Sequence, residues 1–313
     1  MFRIFYATDV HGSEKCWKKF LNAGKWYKAD VVILGGDMTG KAVVPIVKSD
    51  EGCYRVSFLD QNLTLRSREQ AEDVAKMVSD RGYYPVHLSE GEYLDLVSDQ
   101  KAVKALFYKM VISTMERWMK LADERLSGSG IKCFVCPGND DILEVDDVIR
   151  ASKTVRHAEG EVVELPDGYL MPSSGWTNRT PWDTPRECSD EDLGRKLEAI
   201  LSPISDFSKC IFNFHCPPYG SGLDEAPELD DQLRPKFAGR SLVPVGSHSV
   251  KRLIEKYQPI LGLFGHIHES KGVRKLGKTI GINPGSSYEQ GLLLGAIIDL
   301  DHKGVKQYVL TSG

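Results

Sequence analysis

The chain has 313 residues, 41% hydrophobic and 27% charged, which is the balance of a globular protein and excludes a disordered or fibrous one. Its net charge of −4 argues against a general nucleic-acid binder, because non-specific affinity for a polyanion needs a basic surface, although a local basic groove fits within that total. No apolar run approaches the roughly 18 residues of a membrane span, and the seven irregularly spaced cysteines do not form a disulfide framework, so the cytoplasm is the expected compartment.

Phe2–Thr8 and Val31–Leu34 are short apolar runs bounded by turn residues, with a helix-like stretch between them. That is a βαβ opening. Val43–Lys48 and Tyr54–Leu59, joined around Asp50-Glu51-Gly52, read as a hairpin. Ser67 with Gln70 makes a capping-box start for a helix carrying Ala71, Val74, Ala75 and Val78 on one face. A second helix is predicted from about Ser98 to Leu126, with Val103, Leu106, Phe107, Met110, Thr114, Trp118 and Leu121 as its apolar stripe. Residues 41–97 therefore read as an inserted hairpin-plus-helix segment, available to shape or cap a site. Ile131–Cys136 is another strand; Cys133 and Cys136 have redox or zinc spacing but no second pair, and read as core cysteines.

Glu161–Glu164 and Tyr169–Met171 are strand-like and lead into a Gly/Ser/Thr/Pro-rich loop, Ser173–Glu187, then a helix over Ser189–Leu201. Cys210–Phe214 and Ile260–Phe264 are further strands, separated by a loop at Gly220–Leu229 and a helix over Ser247–Tyr257 with Ser247 as its N-cap. Thr279–Asn283, Leu292–Leu300 and Val305–Leu310 read as antiparallel strands. Parallel strands early and antiparallel strands late predict an α/β fold of two mixed sheets packed face to face with helices outside, one domain over residues 1–313.

Polar groups collect where these strands end: Asp9-Val10-His11, Gly36-Asp37, Gly138-Asn139-Asp140-Asp141, His215 and Gly265-His266-Ile267-His268. Open α/β sheets place their sites beyond the carboxyl ends of the strands. Carboxylate, imidazole and amide oxygen are donors that hard-to-borderline divalent metals accept, and this set is large enough for two ions. The residues thus point to a two-metal hydrolase of phosphate esters. Outside these groups, His157 and His248 are alternative proton donors on residue type alone, and Arg179, Arg186, Arg234 and Arg240 carry the fork that pairs with phosphate. Singly, each arginine reads as a surface charge, and Trp176 and Trp182 as locally packed aromatics rather than base-stacking platforms. The glycines of Tyr219–Asp224, next to His215, fit equally a ligand approach or a turn.

The five groups, in this order, resemble the blocks D-x-H, G-D, G-N-H-[DE], H and G-H-x-H of the calcineurin-like metallophosphoesterase superfamily, and the match runs from residue 9 to 268. Asn283-Pro284-Gly285-Ser286 is similar to a loop common in its smaller prokaryotic members. The resemblance implies a four-layer α/β/β/α sandwich in which Asp9, His11 and His268 hold one ion, Asn139, His215 and His266 hold the other, and Asp37 bridges both. It also implies a hydroxide shared by the ions that attacks phosphorus in line, with no covalent phosphoenzyme. Mn²⁺ suits the mixed O/N donors, with Fe, Zn, Ni and Mg as alternatives.

One block departs from the pattern. Asp140 stands where the superfamily usually has the histidine thought to protonate the leaving group, and Asn139 precedes it. As a general acid Asp140 would need a pKa well above roughly 3.9, which two nearby cations oppose. A phosphodiesterase acting on small or nucleotide-like esters with good leaving groups is the reading this favours, ahead of a phosphomonoesterase. A non-catalytic scaffold on the same fold is the alternative of a different class, and the complete ligand set argues against it.

Overall fold

The computed structural model describes residues 1–49 and 51–313, so Asp50, in the expected hairpin loop, lies outside the described residues. Two six-stranded sheets form the centre. The first runs Gly304–Ser312, Leu294–Asp301, Phe2–Ala7, Val31–Leu34, Lys132–Val135, Val155–His157. Its last four strands are parallel and its first two antiparallel. The second runs Gly272–Leu276, Thr279–Asn283, Leu261–Leu263, Ile211–Phe214, Leu170–Ser174, Val162–Glu164, with four parallel strands between two antiparallel edges.

Strand periodicity explains the layering. Side chains alternate between faces: Ile4 and Tyr6 join Val31, Ile33, Leu261, Leu263 and Ile282 in the core between the sheets. Phe5 and Ala7 point the other way, packing with Val32 and Leu34 against Trp17 and Phe20 of the helix Glu14–Tyr27 and Met115 and Trp118 of the helix Gln100–Leu126. The second sheet repeats the arrangement, its outer Phe212, Phe214 and Phe264 covered by helices Asp190–Leu201 and His248–Tyr257. The result is the expected α/β/β/α stack. Cys133 and Cys136 fall in the helix-side and inter-sheet cores respectively, so they face apart.

Several elements differ from the expectation. The insertion is a four-stranded sheet, ordered Gln61–Leu65, Tyr54–Phe58, Val43–Lys48, Tyr84–Ser89, with its own core around Ile46, Val56, Phe58 and Val78 under the helix Arg68–Asp80. Gln61–Leu65 has no fully buried residue and hence no apolar signal. Tyr84–Ser89 contains Pro85, tolerated because this strand is an edge. The long helix begins at Gln100, capped by Asp99, after a separate helix Glu90–Ser98. Its buried stripe is Val111, Thr114, Met115, Trp118, Met119, Ala122 and Leu126, while Val103 is exposed. Thr279–Asn283 belongs to the second sheet, parallel to Leu261–Leu263, and its antiparallel partner Gly272–Leu276 was not expected.

Trp118 is fully buried, stacks on Trp17 at 4.9 Å and donates its indole N–H to Glu14 at 2.8 Å. Trp118→Ala should lower the unfolding free energy by about 3–5 kcal/mol, read from urea denaturation; a loss below about 1 kcal/mol would contradict this packing.

Candidate metal centre

Three loops leave the first sheet side by side and remain paired after the strands stop. Asp9 N–H donates to Gly36 O, His11 N–H to Asp37 O and Gly12 N–H to Met38 O. Asp141, fully buried, accepts from the N–H groups of Met38, Thr39 and Gly138 and from the Thr39 hydroxyl. Burial and the neighbouring Asp37 charge raise its pKa. These ties hold Asp9, His11 and Asp37 at positive φ values of 53°, 39° and 46°, which costs backbone strain at each non-glycine residue.

From the second sheet come His215, after Ile211–Phe214, and His266 and His268, after Leu261–Leu263. Glycines let the loops touch. A Cβ on Gly36 would lie 2.1 Å from His215 Nδ1, one on Gly138 2.2 Å from Asp37 Oδ1, and one on Gly265 2.6 Å from Asp9 Oδ2. The late segment closes the site: Ser286 Oγ donates to Asp9 O, Asn283 Nδ2 donates to Gly265 O and Ile267 O, and the Tyr288 ring packs 4.7 Å from His11. Of these, Tyr288 has no motif to announce it.

The donors converge in groups whose ligand atoms lie within 4.8 Å of one another: Asp9, His11 and His268; Asp37, His215 and His266; and, sharing members with these, His11, Asp37 and Asp140. Asp37 Oδ2 sits between the first two, 3.6 Å from His11 Nε2 and 3.4 Å from His215 Nε2. Asn139 joins the second group with Oδ1 3.1 Å from His215 Nε2, its amide nitrogen donating to Asp140 and Thr184. Asp140 lies on the rim, its N–H donating to Asp37 Oδ1 and its carboxylate paired with Lys41. Asp9, His11, Asp37, Asn139 and His215 are buried, and His266, His268 and Asp140 are half-buried.

The electrostatics are those of acceptors crowded together. His215 Nδ1 faces Gly35 O at 3.0 Å, which places a proton there, and Nε2 faces Asn139 Oδ1 and the Asp37 carboxylate. His11 and His268 likewise present Nε2 to Nε2 at 3.0 Å. Such contacts are accommodated by an N–H···N hydrogen bond in one tautomer or by a cation held between the rings. For His215, burial opposes its charge, but Asp37 and Asp9 overcome this and raise its pKa to about 9. Burial likewise opposes ionisation of Asp9 and Asp37, yet the His215 charge holds both below the usual carboxylate range. His266 is lowered to about 4 by burial and by His215. Burial, and then Asp37, push Asp140 up to about 6 against the opposing pull of Lys41. The donor set and its arrangement fit divalent cations.

The other candidates fall elsewhere. Arg186, expected at the surface, is 1% exposed, donates to Asp141 O and Ile142 O, and pairs with Asp146. It braces the Asn139 loop rather than meeting substrate. Arg179, Arg234 and Arg240 are exposed. His157 is buried beside Asp146, and His248 stacks on Tyr219. Trp176 packs under Lys196, and Trp182 is exposed. Asp224 gathers the N–H groups of Gly220, Ser221 and Gly246, so the Gly220 and Gly222 conformations serve a turn. Lys41 was missed, because its partner Asp140 is 99 residues away.

No family model matches the chain. An uncharacterized protein of Methanocaldococcus jannaschii is 27% identical over 175 residues, 55% of this chain and 70% of its own. The protein TT1561 of Thermus thermophilus superposes with a TM-score of 0.53 at 15% identity, covering 100% of this chain and 98% of its own. Another crystal structure superposes with a TM-score of 0.59 at 15% identity, covering 99% and 98% respectively. The two structural likenesses are of fold. No helix among the described residues is long and apolar enough to cross a membrane.

Gly36 has φ 140°, a region reserved for glycine, and its hydrogen faces the His215 ring. Gly36→Ala should destabilise the fold by about 1–3 kcal/mol and displace the His215 ring signals in NMR spectra; an unchanged stability and spectrum would refute the close approach.

Proposed function

We propose that this chain is a metal-dependent phosphoric ester hydrolase with a dinuclear centre, acting by preference on phosphodiesters. The observation that carries the reading is the convergence of donor atoms: His11 and His268 Nε2 lie 3.0 Å apart, and His215 Nε2 lies 3.1 Å from Asn139 Oδ1, around the carboxylate of Asp37. Asp9, His11 and His268 would hold one divalent ion, Asn139, His215 and His266 the other, and Asp37 both. When bound, the ions supply positive charge that activates water and neutralises phosphoryl oxygens.

The chain's own residues do the rest. Gly35 O fixes the His215 tautomer so that Nε2 is offered inward. The backbone amide of His266 donates to both oxygens of Asp9, at 3.2 and 3.1 Å, and orients that carboxylate. Burial of Asp9, Asp37 and His215 excludes competing water from the inner side, leaving the half-buried His266, His268 and Asp140 as the rim where ester enters. Asp140 at that rim offers no imidazole to protonate an alkoxide, which supports esters with good leaving groups. Mn²⁺ is the ion proposed, on the mixed O/N donor set. Small or nucleotide-like esters are the proposed substrates, and the insertion over 41–97 the cap that limits their size.

Hydrolysis of bis-p-nitrophenyl phosphate beside p-nitrophenyl phosphate, metal-free and with Mn²⁺, tests this directly. Metal-dependent turnover favouring the diester is expected; preference for the monoester would transfer the assignment to a phosphomonoesterase. Asp37→Asn should abolish most turnover and weaken metal binding, and full turnover would remove its bridging role. Because the His215 proton must leave before Nε2 can bind an ion, affinity should rise with pH through neutrality toward about 9. Calorimetry in buffers of different ionisation enthalpy should therefore record proton release on Mn²⁺ binding at pH 7, and none would contradict the proton's place.

A further inference from the structure

Lys41 is the first residue of the insertion, and its ammonium is the cation paired with Asp140 at the rim. Its backbone is held on both sides. Lys41 N–H donates to Gly82 O at 3.1 Å and Gly40 N–H to the Tyr84 hydroxyl at 2.7 Å. The base of the insertion is in turn locked to the first loop: Ser13 Oγ donates to Asp80 O at 2.6 Å, and a Cβ on Gly12 would strike Gly40 Cα at 2.6 Å. The insertion thus has a fixed foot, and the foot aims one long cationic side chain at the centre.

The charge has a reason to be there. Asp140 Oδ2 lies 3.6 Å from His11 Nδ1, so this carboxylate sits against the donor cluster at its half-buried rim. Unpaired, it would repel phosphate. Paired with Lys41, the rim becomes locally neutral. An ammonium has three donors; one is spent on Asp140, and 37% of the Lys41 side chain remains accessible.

We propose that Lys41, delivered by the insertion and steadied by Asp140, is a substrate-binding residue that donates to a non-bridging oxygen of the phosphate ester, with Asp140 as its positioning residue. The assignment rests on the phosphoesterase reading above. It makes the insertion part of the binding site and gives the aspartate in the third motif a purpose other than proton donation. An ammonium suits the task as a compact point charge on a flexible stem, which follows the phosphoryl group as the ester turns over.

The test titrates inorganic phosphate calorimetrically into the Mn²⁺-loaded native protein, Lys41→Met and Lys41→Arg, with metal content and bis-p-nitrophenyl phosphate kinetics measured on the same samples. Lys41→Met should retain its metal and thermal midpoint, while the phosphate Kd and the ester KM rise about ten- to a hundredfold and kcat changes less. Lys41→Arg should restore most of the phosphate affinity. Asp140→Asn should produce a smaller rise in KM. An unchanged Kd and KM in Lys41→Met, beside an active native protein, would overturn the role of Lys41 and leave the phosphoesterase reading standing. Loss of metal from Lys41→Met would also overturn it, by placing the effect at the ion site. A native protein that loads Mn²⁺ but neither binds phosphate nor hydrolyses ester would remove both.

Discussion

The pairing of loops beyond the ends of their strands is the constraint on which this molecule turns. Three N–H donors from the first loop, Asp9, His11 and Gly12, reach carbonyls of the second, and one buried carboxylate, Asp141, ties the second to the third. Backbone hydrogen bonds of this kind are modest singly, each contributing about 0.5–1.5 kcal/mol. Together they hold three residues at positive φ and bring Asp9, Asp37 and four imidazoles within a few ångströms. Strain and like-polarity crowding at the site are offset by the regular sheet beneath it.

Much of this was legible in the sequence. Val31–Leu34 reads as a strand because both faces of the first sheet are covered, leaving an uninterrupted apolar run. The candidate site was legible because half of the chain's eight histidines, with polar neighbours, are set immediately after such runs. What escaped detection has physical causes. Gln61–Leu65 is an edge strand with solvent on it, so its composition is that of a loop. Pro85 disguises a strand whose outer edge needs no ladder. Asp99 divides two helices by capping the second, a break that an apolar stripe does not record. Arg186 could not be placed, since an arginine braced against two carbonyls and a carboxylate has the same one-letter signature as one in water.

The insertion also changes meaning between sequence and structure. As a stretch between two motifs it is only extra length. As a folded sheet with a separate core, hydrogen-bonded at Gly40 and Gly82, it lies beside the candidate centre. A single hydrogen-bonded foot suffices to fix where its first side chain lies.

The place of Phe2–Ala7 in the first sheet has a consequence for how the protein is made. This strand lies third in the sheet, and one of its neighbours is Leu294–Asp301. A ribosome adding about 5–20 residues per second exposes the two strands roughly 15–60 s apart. Throughout that interval Phe2–Ala7 carries an open, apolar hydrogen-bonding edge, the kind of surface that pairs with other chains. The donors follow the same timetable, since His266 and His268 emerge long after Asp9 and His11. Biosynthesis therefore exposes an incomplete sheet and an incomplete donor cluster together.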